Sequence, residues 1–200
     1  MPMRLAVAIS GRGSNLAALL AALPAGSPAE VALVLSNRAA AGLELARQRG
    51  IPTLVLADPA DGGAWLAALS AHRIDLVVLA GYLKLVPDAV VARYRGSILN
   101  IHPALLPAFG GPGMYGRRVH EAVLASRSTV SGATVHLVDE VYDRGAVLAQ
   151  ARVPVLPGDT PETLAARVLE AEHRLLPAVV LAAAAAGRPV PMPEPVELPS

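Results

Sequence analysis

The sequence predicts a three-layer α/β/α domain: a mostly parallel, twisted sheet of about seven strands, with an antiparallel edge near the C-terminus. Three observations predict it. Short continuous apolar runs at 5–9, 31–35 and 75–80 read as strands buried on both faces, and the first two pass through a turn into a helical pattern, the Rossmann-like alternation. From Ser131 the pattern changes, and 132–138 and 147–155 read as two strands with a short connection. The composition is 54% hydrophobic but only 3% aromatic, so the core must be built from Ala, Val and Leu.

The first strand closes on Ser10-Gly11-Arg12-Gly13-Ser14-Asn15, after which Leu16, Leu19 and Leu20 recur at helical spacing. The second strand ends in Ser36-Asn37-Arg38 and leads to a helix reaching Gly50. A shorter strand at 53–56 and a helix at 64–72 follow. Residues 75–80 form the clearest buried strand, and 97–101 the next, which delivers Asn100 and His102 at its C-terminal end. A glycine-rich loop (Gly110, Gly111, Gly113, Gly116) precedes a helix at 117–125. The loop 139–145, between the last two strands, carries Asp143. Thr160 N-caps a final helix through Glu172 and His173, which Pro177 is expected to bend or end. Residues 1–187 read as one domain without internal repeats, and 188–200 as a proline-rich tail, extended or disordered.

Bulk properties exclude several function classes. A net charge of +1 is too near balance for a polyanion-binding surface, so no nucleic-acid partner is expected. There is no cysteine, which excludes disulfides, thiolate metal sites and cysteine nucleophiles. Mean hydropathy is +0.48, yet the longest apolar run, 175–186, is shorter than a membrane span of roughly 18 residues and contains Pro177. The run at 5–9 is too short for a secretory signal. A soluble cytoplasmic protein, without a membrane partner, is the expectation.

Asn100 and His102 lie two apart in extended chain and share a face. A carboxamide donor beside a titratable ring suits a developing oxyanion, and strand C-termini are where open α/β sheets bind ligands. A loop carboxylate such as Asp143 could orient the imidazole. The 11–15 turn at a helix N-terminus reads equally as an anion site or as a capped helix. It is not a dinucleotide fingerprint, because Leu16 replaces the third glycine, and no Lys-Ser/Thr follows to make a P-loop. His136 and His173 read as structural. Glu170 and His173 have metal-like spacing, but one pair is not a site. Lys84, the chain's single lysine, falls in the loop after a central strand.

Asn100-Ile101-His102-Pro103-Ala104-Leu105-Leu106-Pro107 resembles the signature of the folate-dependent formyltransferases. The turn Ser10–Asn15 and Val138-Asp139-Glu140-Val141-Tyr142-Asp143-Arg144-Gly145, followed by Gln150, narrow the resemblance to the branch that formylates phosphoribosylglycinamide in purine synthesis. The similarity runs from about residue 3 to about 186 and implies the formyltransferase fold. It further implies 10-formyltetrahydrofolate as co-substrate, no metal, small-molecule substrates and a monomer or homodimer. By resemblance, His102 is the general acid/base, Asn100 holds the formyl oxygen and Asp143 raises the His102 pKa. Gly13, Ser14 and Asn15 would cradle the substrate phosphate, and Glu172 would contact the glycinamide end. Leu83, Lys84, Leu85 and Val86, with Asn100 and the loop Asp139, Glu140, Val141, Tyr142 and Asp143, would line the folate pocket. The chain departs from many members in its longer 110–116 loop, in Gly62 or Gly63 where an arginine is common, and in Leu169. Competing acceptors within the family are methionyl-tRNA, a nucleotide-sugar amine or water, the tRNA and water enzymes being expected to carry an added domain. A non-catalytic phosphate-binding module is the reading from another class, and it leaves Asn100, His102 and Asp143 unexplained.

Overall fold

Five consecutive residues, Leu5, Ala6, Val7, Ala8 and Ile9, have no exposed surface, which places the first strand, β1 (Met3–Ile9), inside the sheet. The computed structural model describes residues 1–141, 143–192 and 196–197. After β1 come α1 (Ser14–Ala22), β2 (Ala29–Ser36), α2 (Ala41–Gln48), β3 (Thr53–Val55) and α3 (Gly62–Ala71). Then follow β4 (Leu76–Leu79), α4 (Asp88–Arg93), β5 (Ile98–His102) and α5 (Arg117–Ala125). The chain continues through β6 (Val130–Leu137), β7 (Val147–Pro154), α6 (Pro161–Ala186) and β8 (Val196–Glu197).

The sheet order is β3-β2-β1-β4-β5-β6-β7-β8. Strands β1 to β5 pair in parallel, β6 is antiparallel to both its neighbours, and β8 runs parallel to β7. The expected mixed sheet is therefore present, with the two-residue β8 added beyond its seven longer strands. Met192 N–H donates to the Leu148 carbonyl at 2.7 Å, so Met192 also lies along the β7 edge. Residues 193–195 and 198–200 of the proline-rich tail lie outside the described residues.

Side-chain alternation along β1 divides two cores. Leu5, Val7 and Ile9 pack with residues of α1, α2, α5 and α6 on one face. Ala6 and Ala8 pack on the other with Trp65 and Leu69 of α3 and Val90 and Val91 of α4. Helix α4 went unpredicted because six residues are too few to display a helical period.

The last helix also departs from expectation. α6 runs 26 residues, straight through Pro177, and stops at Gly187 in the left-handed region. A proline inside a helix costs ~3 kcal/mol. Here Leu175, Leu176, Val179, Val180 and Ala183 are all at most 1% exposed, and their burial offsets that penalty several times over.

Candidate active site

Chain order reverses at β1: β2 lies on one side and β4 on the other. Such a switch point leaves a crevice beyond the strand C-termini. A cavity of about 530 Å³ opens there, reaching from the residues after β4 to those after β5 and across to α6. Asn100, His102, Asp143 and Glu172 line it. So do Leu83, Lys84, Leu85, Val86, Asp139, Glu140 and Val141. Tyr142 lies outside the described residues.

His102, at the end of β5, is 4% exposed. Its Nε2 sits 2.8 Å from the Phe109 carbonyl, which can only accept, so this nitrogen donates. Nδ1 faces Asp143 Oδ2 at 3.7 Å. Burial pushes the His102 pKa below its ordinary 6.5. Asp143 and the Phe109 carbonyl push it back up, and His136 pushes it down again. The influence of Asp143 is upward, as its charge requires. Desolvation is the largest of these influences, and it favours the neutral ring.

Asp143 is held by the glycine-rich loop. Its backbone is left-handed, at φ 53°, and its Oδ2 accepts the Gly111 N–H at 2.9 Å. A Cβ on Gly110 would lie 2.5 Å from Leu106 Cδ2 and 3.2 Å from Asp143 Cβ, so a larger residue there would have to displace the Leu106 side chain and crowd Asp143. Burial acts to raise the Asp143 pKa, but His136, the Gly111 N–H and His102 outweigh it and hold the carboxyl below its usual range.

His136, expected to be structural, belongs to this cluster. The antiparallel register sets it opposite Asn100, with Nε2 3.0 Å from Asn100 Nδ2 and 3.5 Å from Asp143 Oδ1. Its Nδ1 donates to the Leu137 carbonyl at 2.8 Å. β6 is buried on both faces from Ser131 to His136, and nothing in the sequence stated which residue of β5 His136 would meet. Thr134, opposite His102, is also missed. Its hydroxyl donates to the Ala104 carbonyl at 2.6 Å and accepts the Leu106 N–H at 3.0 Å, and Gln150 Nε2 donates to the Leu106 carbonyl at 2.9 Å. These bonds brace the turn that carries the chain away from His102. His120 of α5 lines the cavity as well, 4% exposed, and burial with His102 pushes its pKa down.

Gly13, Ser14 and Asn15 start α1 just outside the cavity wall. Gly13 takes φ 78°, and a Cβ there would stand 2.9 Å from Gly42 Cα of α2. Asn15 Nδ2 donates to Glu172 Oε2 at 2.6 Å, joining the turn to the cavity. Burial pushes the Glu172 carboxyl up to about 7, against the pull of the Asn15 hydrogen bond. The wall formed by 83–86 and 139–141 presents open apolar side chains: Leu83, Leu85 and Val141 are 49%, 59% and 58% exposed. Arg95 pairs with Glu140 at its rim. Glu170 and His173 find no third metal-ligating partner among the described residues.

Residues 3–180 match the formyl transferase family model. A plant relative from Arabidopsis thaliana, phosphoribosylglycinamide formyltransferase, chloroplastic, is 47% identical over 88% of this chain and 64% of its own length. The chain spans less than two thirds of the plant relatives it matches. A Mycobacterium tuberculosis phosphoribosylglycinamide formyltransferase is 46% identical over 93% of this chain and 87% of the relative. The crystal structure of the Anaplasma phagocytophilum enzyme of that name superposes with a TM-score of 0.86 at 40% identity, covering 92% of this chain and 88% of the other. The chain belongs to the formyl transferase family, alongside relatives and solved structures named phosphoribosylglycinamide formyltransferase.

Proposed function

We propose that the protein transfers the formyl group of 10-formyltetrahydrofolate to the amine of 5'-phosphoribosylglycinamide, releasing tetrahydrofolate and formylglycinamide ribonucleotide. The observation that carries this reading is the convergence of Asn100, His102 and Asp143 on one cavity. An open apolar wall bounds that cavity on one side, and Glu172, bonded to the 11–15 turn, bounds it on another. The ring systems of the donor would lie against 83–86 and 139–143, and the ribonucleotide phosphate would meet the N–H groups opening α1.

In the reaction the amine nitrogen attacks the formyl carbon and the carbonyl π pair moves onto oxygen. Asn100 Nδ2 can donate to that oxyanion; a single such donor is worth roughly a hundredfold in rate. His102 in its neutral form takes the proton shed by the attacking nitrogen, and the imidazolium so formed faces Asp143. It then returns a proton to the folate N10 as the C–N10 bond breaks and the carbonyl reforms. No covalent enzyme intermediate is needed. Asp143 favours the imidazolium through charge, and burial keeps it transient.

The test is purified protein with both substrates, following loss of the formyl group from the donor. Turnover with phosphoribosylglycinamide is expected. Turnover only with another amine, or with water, would overturn the acceptor while leaving the donor chemistry in place.

A further inference from the structure

Ser10, the residue after β1, is 2% exposed, and all of its polar groups tie separate strand ends together. Its N–H donates to the Gly81 carbonyl, beyond β4, at 3.1 Å. Its carbonyl accepts Arg38 Nε–H, beyond β2, at 2.6 Å. Its hydroxyl donates to Asn37 Oδ1 at 2.6 Å and accepts the Leu83 backbone N–H at 2.9 Å. Because β2, β1 and β4 are neighbours, this knot lies at the switch point of the sheet.

What Ser10 joins is unequal in rigidity. Downstream of it the 11–15 turn is pinned by packing of Gly13 on Gly42 and by the Gly42 N–H bond to the Gly11 carbonyl at 3.1 Å. The 83–86 wall is tied by packing only at its far end, where Val86 is buried in the second core. Leu83 and Leu85 are about half exposed, and among the described residues no backbone N–H or carbonyl of 83–86 other than the Leu83 N–H has a hydrogen-bond partner. The Ser10 hydroxyl is therefore the polar anchor that locates this wall.

We propose that Ser10 is a positioning residue for the donor site: through the Leu83 N–H its hydroxyl holds the 83–86 wall in place beside the 11–15 turn and thereby sets affinity for the formyl donor. The inference rests on the reading of 83–86 as the donor wall. Without the hydroxyl, the Leu83 N–H and Asn37 Oδ1 both lose their partner, and the cheapest remedy is for the loop to turn its N–H toward water. A displaced wall weakens a ligand that lies flat against it while leaving His102 and Asn100 untouched.

The experiment compares wild type with Ser10→Ala by amide hydrogen exchange and by kinetics. Exchange at Leu83 is expected to quicken roughly tenfold or more, with β1 and β4 amides unchanged, because the opening is local. The KM for 10-formyltetrahydrofolate should rise roughly fivefold to thirtyfold, while kcat and the ribonucleotide KM stay within about twofold. Ser10→Thr keeps the hydroxyl and should restore both values. Asn37→Ala keeps the Ser10–Leu83 bond and should leave the donor KM within about twofold of wild type. Should Ser10→Ala fail to fold, Ser10→Cys, similar in shape but a weak acceptor, carries the same comparison. Unchanged Leu83 exchange, or a loss confined to kcat or the ribonucleotide KM, overturns the proposal. If Leu83 exchange quickens but wild type does not bind the formyl donor, the reading of the wall fails and the hold of Ser10 on it stands.

Discussion

At His102 burial and charge oppose each other in setting the pKa of the ring. Burial pushes the ring below its ordinary pKa and Asp143 pushes it up. Removing the carboxylate leaves the Phe109 carbonyl as the one upward influence against burial and His136. Asp143→Asn should therefore shift the acid limb of the kcat/KM profile to lower pH, as should the NMR titration of the ring; a shift to higher pH would count against the pairing. His102→Ala should lower kcat by roughly a hundredfold or more with donor binding mostly kept, measured by single-turnover kinetics and donor titration. Near-normal turnover in that variant would dismiss the acid/base role.

In the proposed reaction the turn before α1 would meet the phosphate through backbone N–H groups, so its test is a substitution that moves backbone. Gly13 is left-handed and lies against Gly42, leaving no room for a Cβ. Gly13→Ala should raise the ribonucleotide KM by roughly tenfold or more and the donor KM far less, and the dephosphorylated substrate should show no such loss. An equal effect on both substrates would argue that the turn is only structural. At the start of α6, Arg167 makes a two-point pair with Asp159 at 2.7 and 3.0 Å. That pair first, and then the Leu156 N–H and Thr163 hydroxyl bonds, hold the Asp159 carboxyl well below the usual carboxylate range. Asp159→Ala should destabilise by ~1.5–3 kcal/mol in denaturant melts, because it unties the loop that enters the longest helix.

Over the whole molecule, the buried Glu172 makes stability depend on pH. Its carboxyl is pushed from 4.5 to about 7, so the fold prefers the protonated form. That contribution is complete below pH 4.5 and is lost as pH rises through about 7. Glu172→Gln, which stays neutral, should match wild type at acid pH and exceed it by up to ~3 kcal/mol above pH 8, read as a rise in Tm. Equal melting curves across that range would mean that the carboxyl is solvated in solution.

Strand and helix order, the mixed sheet and the placement of Asn100 and His102 at a strand end could be read from local pattern, because apolar periodicity and turn residues act over a few positions. Helix α4 was too short for that signal, and Pro177 misled it, since the burial that carries α6 onward comes from distant residues. The sequence by itself determined which groups are available: a carboxamide, an imidazole, a loop carboxylate and an N-terminal turn. Only the tertiary structure decided that His136 meets Asn100, that the 110–111 backbone grips Asp143, that burial overrides Asp143 at His102, and that Ser10 ties the 83–86 wall to the turn. Strand register and desolvation depend on neighbours far apart in the chain, and no local pattern encodes them.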